Sequence, residues 1–221
     1  MTVLKKVLFA TILLSFTATL SAQFSFGVRG GITLPNVAFN DEAEEESVDY
    51  LVYMGATFGV VAELKISDHF AIQPEMMLTQ KGFKIDYDDY YYYYYYYGNN
   101  PSSSETKFRL NYLEAPILAK GIFGNESISG YVAVGPVFGY AASGSTYFNG
   151  RKVKFGEDEW DGFKRFEVSA SAGAGVGLSV GTGQVFLDLR YLFGLSNLAD
   201  DDEFKVWNRT MGISVGYLHS L

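Results

Sequence analysis

EVSASAGAGVGLSV, residues 167–180, alternates small or polar residues with apolar ones over fourteen positions. Glu167, Ser169, Ser171, Gly173, Gly175, Gly177 and Ser179 share one parity; Val168, Ala170, Ala172, Ala174, Val176, Leu178 and Val180 share the other. A period of two is the signature of an extended strand with two unlike faces. The next stretch repeats it, with Phe186, Asp188 and Arg190 against Val185, Leu187, Leu189 and Tyr191. Working outward in both directions, the alternation predicts eight strands, over 24–34, 50–66, 70–84, 107–122, 128–141, 164–180, 184–196 and 205–219.

The connections between these strands alternate in length. Three are short: Ser67-Asp68-His69, Gly124 to Ser127, and Gly181-Thr182-Gly183. The others are longer, at 35–49, 85–106, 142–163 and 197–204. In an up-and-down barrel, odd and even connections lie at opposite ends. Short turns at one end and long loops at the other mark an outer-membrane barrel with its turns in the periplasm. The fold class read from the sequence is therefore all-β, an eight-stranded antiparallel up-and-down transmembrane β-barrel.

Alternation does not say which face is inside, and a soluble lipocalin-like barrel would turn its apolar face inward. Three features favour the membrane. The polar faces carry glycines and serines that suit a narrow interior. The apolar faces supply the 9–11 residues of a tilted spanning strand. Aromatic residues gather near strand ends, as in interfacial girdles: Phe24, Phe26, Tyr50, Tyr53, Phe138, Tyr140, Phe166, Tyr191, Phe193 and Trp207.

The first 22 residues read as a secretory signal peptide, with Lys5 and Lys6, an apolar run from Val7 to Leu20, and small Ser21 and Ala22 before cleavage. The domain layout is then a signal peptide at 1–22 and one barrel domain at 23–221. The remaining chain carries 15 Lys+Arg against 25 Asp+Glu, a formal net charge of −10. So acidic an exported chain is no partner for nucleic acid. It contains no cysteine, which excludes disulfides, thiolate metal sites and a lipid-modified cysteine anchor. With 17 Tyr, 18 Phe and 24 Gly but only 5 Pro, the composition suits strands, tight turns and exposed aromatics.

LNYLEAPILAKG (110–121) resembles the fourth-strand signature of the PorT-like outer-membrane β-barrel proteins, small barrels of Gram-negative envelopes. FGVRGGITLPNV (26–37), IQPEMMLTQKGF (72–83) and FLDLRYLFGLSN with MGISVGYL (186–218) are similar to that family's opening, third and last strands. The resemblance implies a membrane barrel, and its nearest functional hint is a link to secretion or envelope assembly.

Parity places Arg29, Glu63, Glu75, Lys81, Glu114, Lys120, Glu167, Asp188 and Arg190 on the face away from lipid. Near the midplane of the lipid face an Arg or Lys would cost about 2–4 kcal/mol, whereas inside the barrel it can pair. Glu63, Glu75, Glu114 and Arg190 are the expected centre of this lumen network. The charges either fill the lumen as paired ions or line a narrow gated path for ions or small solutes.

The expectation for catalysis is negative. His69 and His219 both fall at the turn end, and neither a Ser-His-acid arrangement nor an HExxH spacing is present. An acid-only site in the outer loops is the remaining enzymatic form. No cofactor is expected. The acidic stretches Asp41 to Glu46 and Asp200 to Glu203 fix no coordination geometry, so no metal is assigned.

One stretch fits no enzyme motif. Tyr90, Tyr91, Tyr92, Tyr93, Tyr94, Tyr95, Tyr96 and Tyr97 form an unbroken run in the longest outer connection. They either prolong a strand as a hairpin arm whose rings contact headgroups, sugars or a partner, or are a repeat expansion in a permissive loop. The function read from the sequence is a non-enzymatic outer-membrane barrel whose long loops, chiefly 85–106 and 142–163, contact a partner or surface ligand. The expected partners are outer-membrane lipid and envelope or secretion proteins.

Overall fold

A computed structural model describes residues 23–40, 49–51, 53–87, 104–148, 151–157, 160–200 and 205–221. It contains ten strands: β1 (Gln23–Phe39), β2 (Asp49–Leu51), β3 (Gly55–Ser67), β4 (Phe70–Tyr87), β5 (Ser104–Gly124), β6 (Ile128–Phe148), β7 (Arg151–Lys154), β8 (Phe166–Val180), β9 (Gly183–Gly194) and β10 (Val206–Ser220). Eight of them pair antiparallel in the closed circuit β1-β3-β4-β5-β6-β8-β9-β10, with β1 returning to β10 from Ser25↔Ser220 to Phe39↔Val206. Closure leaves no free edge in the apolar layer, as a membrane-spanning sheet requires. No helix is long and apolar enough to cross a membrane, which says nothing about crossing by strands.

Burial decides which face is inside. Along β8, Glu167, Ser169 and Ser171 are each 1% exposed, while Val176 and Leu178 stand about half exposed. The same split recurs on β6, where Val132 and Val134 face out beside buried Ala133, and on β9, where Leu187 and Leu189 flank buried Asp188. A soluble ligand-binding barrel would reverse this order. The apolar surface is a band that only hydrocarbon can cover.

Three tight turns close one end, at 68–69, 125–127 and 181–182. Gly181 has φ +59° and Gly124 has φ +115°, the left-handed region that glycine enters without steric penalty. Asn125 completes its turn by accepting from the backbone N–H groups of Ser127 and Ile128 through Oδ1 at 3.0 and 2.9 Å. Such a side-chain turn replaces backbone pairing in a short connection. Glycine has a second use inside the lumen. A Cβ on Gly175 would stand 2.4 Å from the Tyr131 hydroxyl, and one on Gly216 would stand 2.3 Å from the Phe186 ring. Large inner rings thus lie against glycines of neighbouring strands, which fills a narrow barrel without overpacking it.

The outer end differs from the sequence expectation in three places. The single strand expected over 50–66 is two, β2 and β3, with Tyr53 and Met54 outside both. The pairing with β4 runs Leu51↔Lys84 through β2 but Thr57↔Thr79 through β3, a shift of one residue between them. An extra residue of this kind flips the face that a strand presents. The long connection expected over 142–163 is partly sheet: β6 runs to Phe148 and pairs with β7 from Ser145↔Lys154 to Phe148↔Arg151. Its Ala-Ser-Gly-Ser-Thr composition carries too little apolar contrast to show the alternation. Of the expected girdle, Phe24, Phe26, Phe138, Tyr140, Phe166 and Phe193 are exposed, while Tyr191 and Trp207 are half-buried. Tyr53 is buried instead, at 5% exposure. Bases from β5 cover its ring, with Lys107 Nζ 5.0 Å from the ring centre. Tyr50 lies in β2, and its side chain is outside the described residues.

Candidate functional site

The lumen charges arrange themselves in three layers along the barrel axis. The middle layer is a quartet drawn from β1, β4 and β9. Arg29 Nη2 donates to Asp188 Oδ1 at 2.8 Å, and its Nη1 reaches Glu75 Oε1 at 3.2 Å. Arg190 spans the same two acids, with Nη1 3.0 Å from Glu75 Oε2 and Nη2 3.1 Å from Asp188 Oδ2. The Tyr131 hydroxyl donates to Asp188 at 3.0 Å, the Gln73 amide donates to Glu75 at 2.6 Å, and Arg29 donates to Ser214 Oγ at 3.0 Å. Two acids and two bases cancel, and forked guanidinium geometry suits carboxylates.

Toward the outer end lies a second layer. Lys81 Nζ is 2.7 Å from Glu114 and 3.1 Å from Glu167, so one base faces two acids. Neutral donors share the surplus charge: Asn208 Nδ2 donates to Glu167 at 2.8 Å and Ser169 Oγ at 2.7 Å. The Tyr112 ring lies 4.8 Å from Lys81 Nζ. Toward the turn end, Lys120 pairs with Glu63 at 2.5 Å and sits 4.1 Å from the Tyr131 ring centre.

Sequence parity and the structure place these residues differently in one respect. Arg29, Glu63, Glu75, Lys81, Glu114, Lys120, Glu167, Asp188 and Arg190 are all buried inside. The expected centre of Glu63, Glu75, Glu114 and Arg190 is not one cluster, because each of its acids lies in a different layer. Distance along each strand from the turn sets the layer, and the stagger between strands is invisible until they pair. The neutral partners Gln73, Tyr112, Tyr131, Ser169, Asn208 and Ser214 were missed by a search for charge alone. Gln73, Tyr112 and Ser169 share parity with a charged residue of their own strand, and that was the available signal, whereas Tyr131, Asn208 and Ser214 lie on strands that carry no lumen charge.

The layers are separated by packing. Val61, Leu118, Tyr131, Ala133, Phe186 and Leu218 form an apolar cluster beside the Glu63–Lys120 pair. Above the middle layer is a cavity of about 40 Å³, bounded by Arg29, Glu75, Arg190 and Thr210 together with apolar Met77 and Leu192. That volume suits a water or two. Beyond the outer layer, Phe155, Trp160 and Phe163 pack on Leu110, Tyr112 and Ala141. An isolated bridge, Phe163↔Ala199, ties this cap to the next connection. Part of the expected 142–163 contact loop therefore folds over the barrel mouth.

His69 and His219 lie at the turn end, His69 in the β3–β4 turn and His219 against Phe26 in an edge contact of 5.8 Å. Among the described residues, no three His, Cys, Asp or Glu side chains converge as metal ligands would. Tyr90 to Tyr97, and the acidic stretches apart from Asp200, lie outside the described residues.

Residues 17–200 match the family described as outer membrane protein beta-barrel domain. The chain belongs to that family. Its place is the outer membrane, and lipid is its environment. The barrel is similar to the outer membrane protein OprG from Pseudomonas aeruginosa, with 10% identity over 90% of this chain and 96% of that one, at a TM-score of 0.55. Neisserial surface protein A is 15% identical over 88% of this chain and 96% of its own, at a TM-score of 0.49. At such identities the likeness is one of fold. No curated protein matches the sequence.

Proposed function

We propose that this outer-membrane barrel is a non-enzymatic envelope protein whose outer connections, chiefly 85–106 and 142–163, contact a partner or surface ligand. The observation that carries this reading is the length of the outer hairpins. A tilted strand crosses the hydrocarbon with 9–11 residues, yet β5 and β6 have 21 residues each. The surplus is paired sheet: β4 and β5 continue from Phe83↔Phe108 to Tyr87↔Ser104, and β6 continues into β7. A rigid arm rising from the membrane presents a surface at low entropic cost. Its tip leads into the tyrosine run, whose residue type favours contact surfaces. The PorT-like resemblance of 110–121 points to partners in secretion or envelope assembly.

Against a solute pathway stand the ion-paired layers and the apolar cluster around Tyr131 and Phe186. We further propose export with removal of residues 1–22. A single cysteine at Asn99 tests the contact reading. It should react with an impermeant reagent on intact cells and, as a photocrosslinker site, capture envelope protein. Protection from the reagent would overturn the reading.

A further inference from the structure

The outer arm has two unlike faces, and cross-strand register assigns each residue to one of them. One row runs Lys84↔Lys107, Lys107↔Tyr147 and Tyr147↔Lys152. The adjacent row on the same face runs Gly82↔Arg109, Arg109↔Ser145 and Ser145↔Lys154. Residues directly opposite in paired strands share a face. Five bases thus gather on one face of a chain whose net charge is −8, and the same register sets Asp49, Asp86 and Glu105 in the next row out, farther from the membrane. The other face carries Phe83, stacked on Phe108 at 4.9 Å, with Thr146 and Val153 in line.

Aromatic rings hold the bases. Tyr53 donates its hydroxyl to the carbonyl of Lys81, the residue before Gly82, at 2.7 Å, and φ at Gly82 is +125°. Lys107 Nζ lies 5.0 Å and Arg109 Cζ 5.9 Å from the Tyr53 ring centre. Arg109 also lies 5.0 Å from the Tyr147 ring, and Lys152 Nζ lies 5.6 Å from it. A ring face attracts a cation but does not neutralise it. Among the residues whose side chains are described, no carboxylate lies within ion-pair distance of Lys107, Arg109, Lys152 or Lys154, and Arg109 Nε is buried without an acceptor.

Height identifies what meets this face. On the face that carries the bases, Leu113 and its neighbour Tyr140 are the last exposed apolar row of β5 and β6. Asn111, hydrogen-bonded to Ser143 at 2.9 Å, follows, and Arg109 and Lys107 come next. Rows on one face rise roughly 5 Å each for a strand tilted near 45°. The bases therefore stand roughly 10–15 Å beyond the apolar edge, where long side chains reach down into the headgroup layer.

We propose that this face binds the phosphate groups of the surrounding outer-leaflet lipid, with Lys107, Arg109, Lys152 and Lys154 as the phosphate contacts. Tyr53 and Tyr147 are the platforms that position the first three. The proposal rests on the outward orientation of the long connections and deepens the surface-contact reading by naming a lipid partner.

The test uses the full chain refolded in detergent micelles and titrated with bisphosphorylated lipid A or with its dephosphorylated form. Folding of each variant is verified by heat-shifted electrophoretic mobility. Affinity should fall about fivefold for each charge removed in Lys152→Gln/Lys154→Gln and again on adding Lys107→Gln/Arg109→Gln. The charge-matched control Arg151→Gln/Lys205→Gln changes bases that are not on this face, and should bind as the parent does. Equal binding of the dephosphorylated lipid, or equal loss in the control, would overturn the proposal. Labelling at Asn99 reads orientation separately, so failure of lipid binding and failure of the contact reading are distinguishable.

Discussion

Arg29 on β1 and Asp188 on β9 are 159 residues apart in sequence and 2.8 Å apart in the lumen. They meet because closure sets β10 between their strands, with Arg29↔Gly216 and Ser214↔Asp188 in register. A buried ion pair contributes little net stability, since desolvation offsets most of the attraction. Its stronger effect is on register. A one-residue slip of β1 would turn Arg29 to the lipid, at a cost of about 2–4 kcal/mol.

Arg29→Gln should therefore destabilise the folded barrel by about 3–5 kcal/mol, because Asp188 and Glu75 then share Arg190 alone. Adding Asp188→Asn should cost clearly less than the sum of the two single changes. Urea titrations of refolding in detergent measure both. Strict additivity would mean that the pair is not coupled.

Lys81 is the only base within ion-pair distance of Glu114 and Glu167 among the described residues. Lys81→Met should destabilise the barrel by about 3–5 kcal/mol by leaving two buried acids without a cation. Glu167→Gln in the same chain should recover part of that loss. The same titration decides, and a double variant no better than Lys81→Met would argue against one shared layer.

Gly175→Ala should destabilise by about 1–3 kcal/mol, since its Cβ would collide with the Tyr131 ring. The ring packs from a neighbouring strand, and its hydroxyl also serves Asp188. Tyr131→Leu should cost stability alone yet reduce the penalty of Gly175→Ala. Thermal unfolding followed by circular dichroism would show the relief, and its absence would place the strain elsewhere.

Val134→Arg should destabilise by about 2–4 kcal/mol in a lipid bilayer, because Val134 is 60% exposed in the apolar band. Lys154→Gln, on the outer arm, should change stability by less than about 0.5 kcal/mol. Refolding into vesicles of increasing urea concentration compares them. Similar small effects would mean that the band does not face hydrocarbon.

N-terminal sequencing of the protein purified from outer membranes should begin at Gln23. Planar-bilayer recordings should show no steady conductance through the ion-paired lumen. A different first residue would move the cleavage site, and discrete current steps would favour the pore.

Much of this protein was legible along the chain, because alternation is a local property. Glu167, Ser169 and Ser171 against Val176 and Leu178 set a strand with two faces, and the unequal connections tell the two ends of the barrel apart. The same parity named the nine charged residues that are buried inside among the described residues. Tertiary structure alone decided how those charges divide. Glu63, Glu75 and Glu114 share parity yet occupy three layers, because partners depend on the stagger of strands closed into a ring. The outer arm was hidden for a related reason. Lys107, Arg109, Lys152 and Lys154 are scattered in sequence, and only pairing of β5, β6 and β7 brings them onto one face. Sequence sets which way a side chain points from its own strand; register between strands sets what it meets.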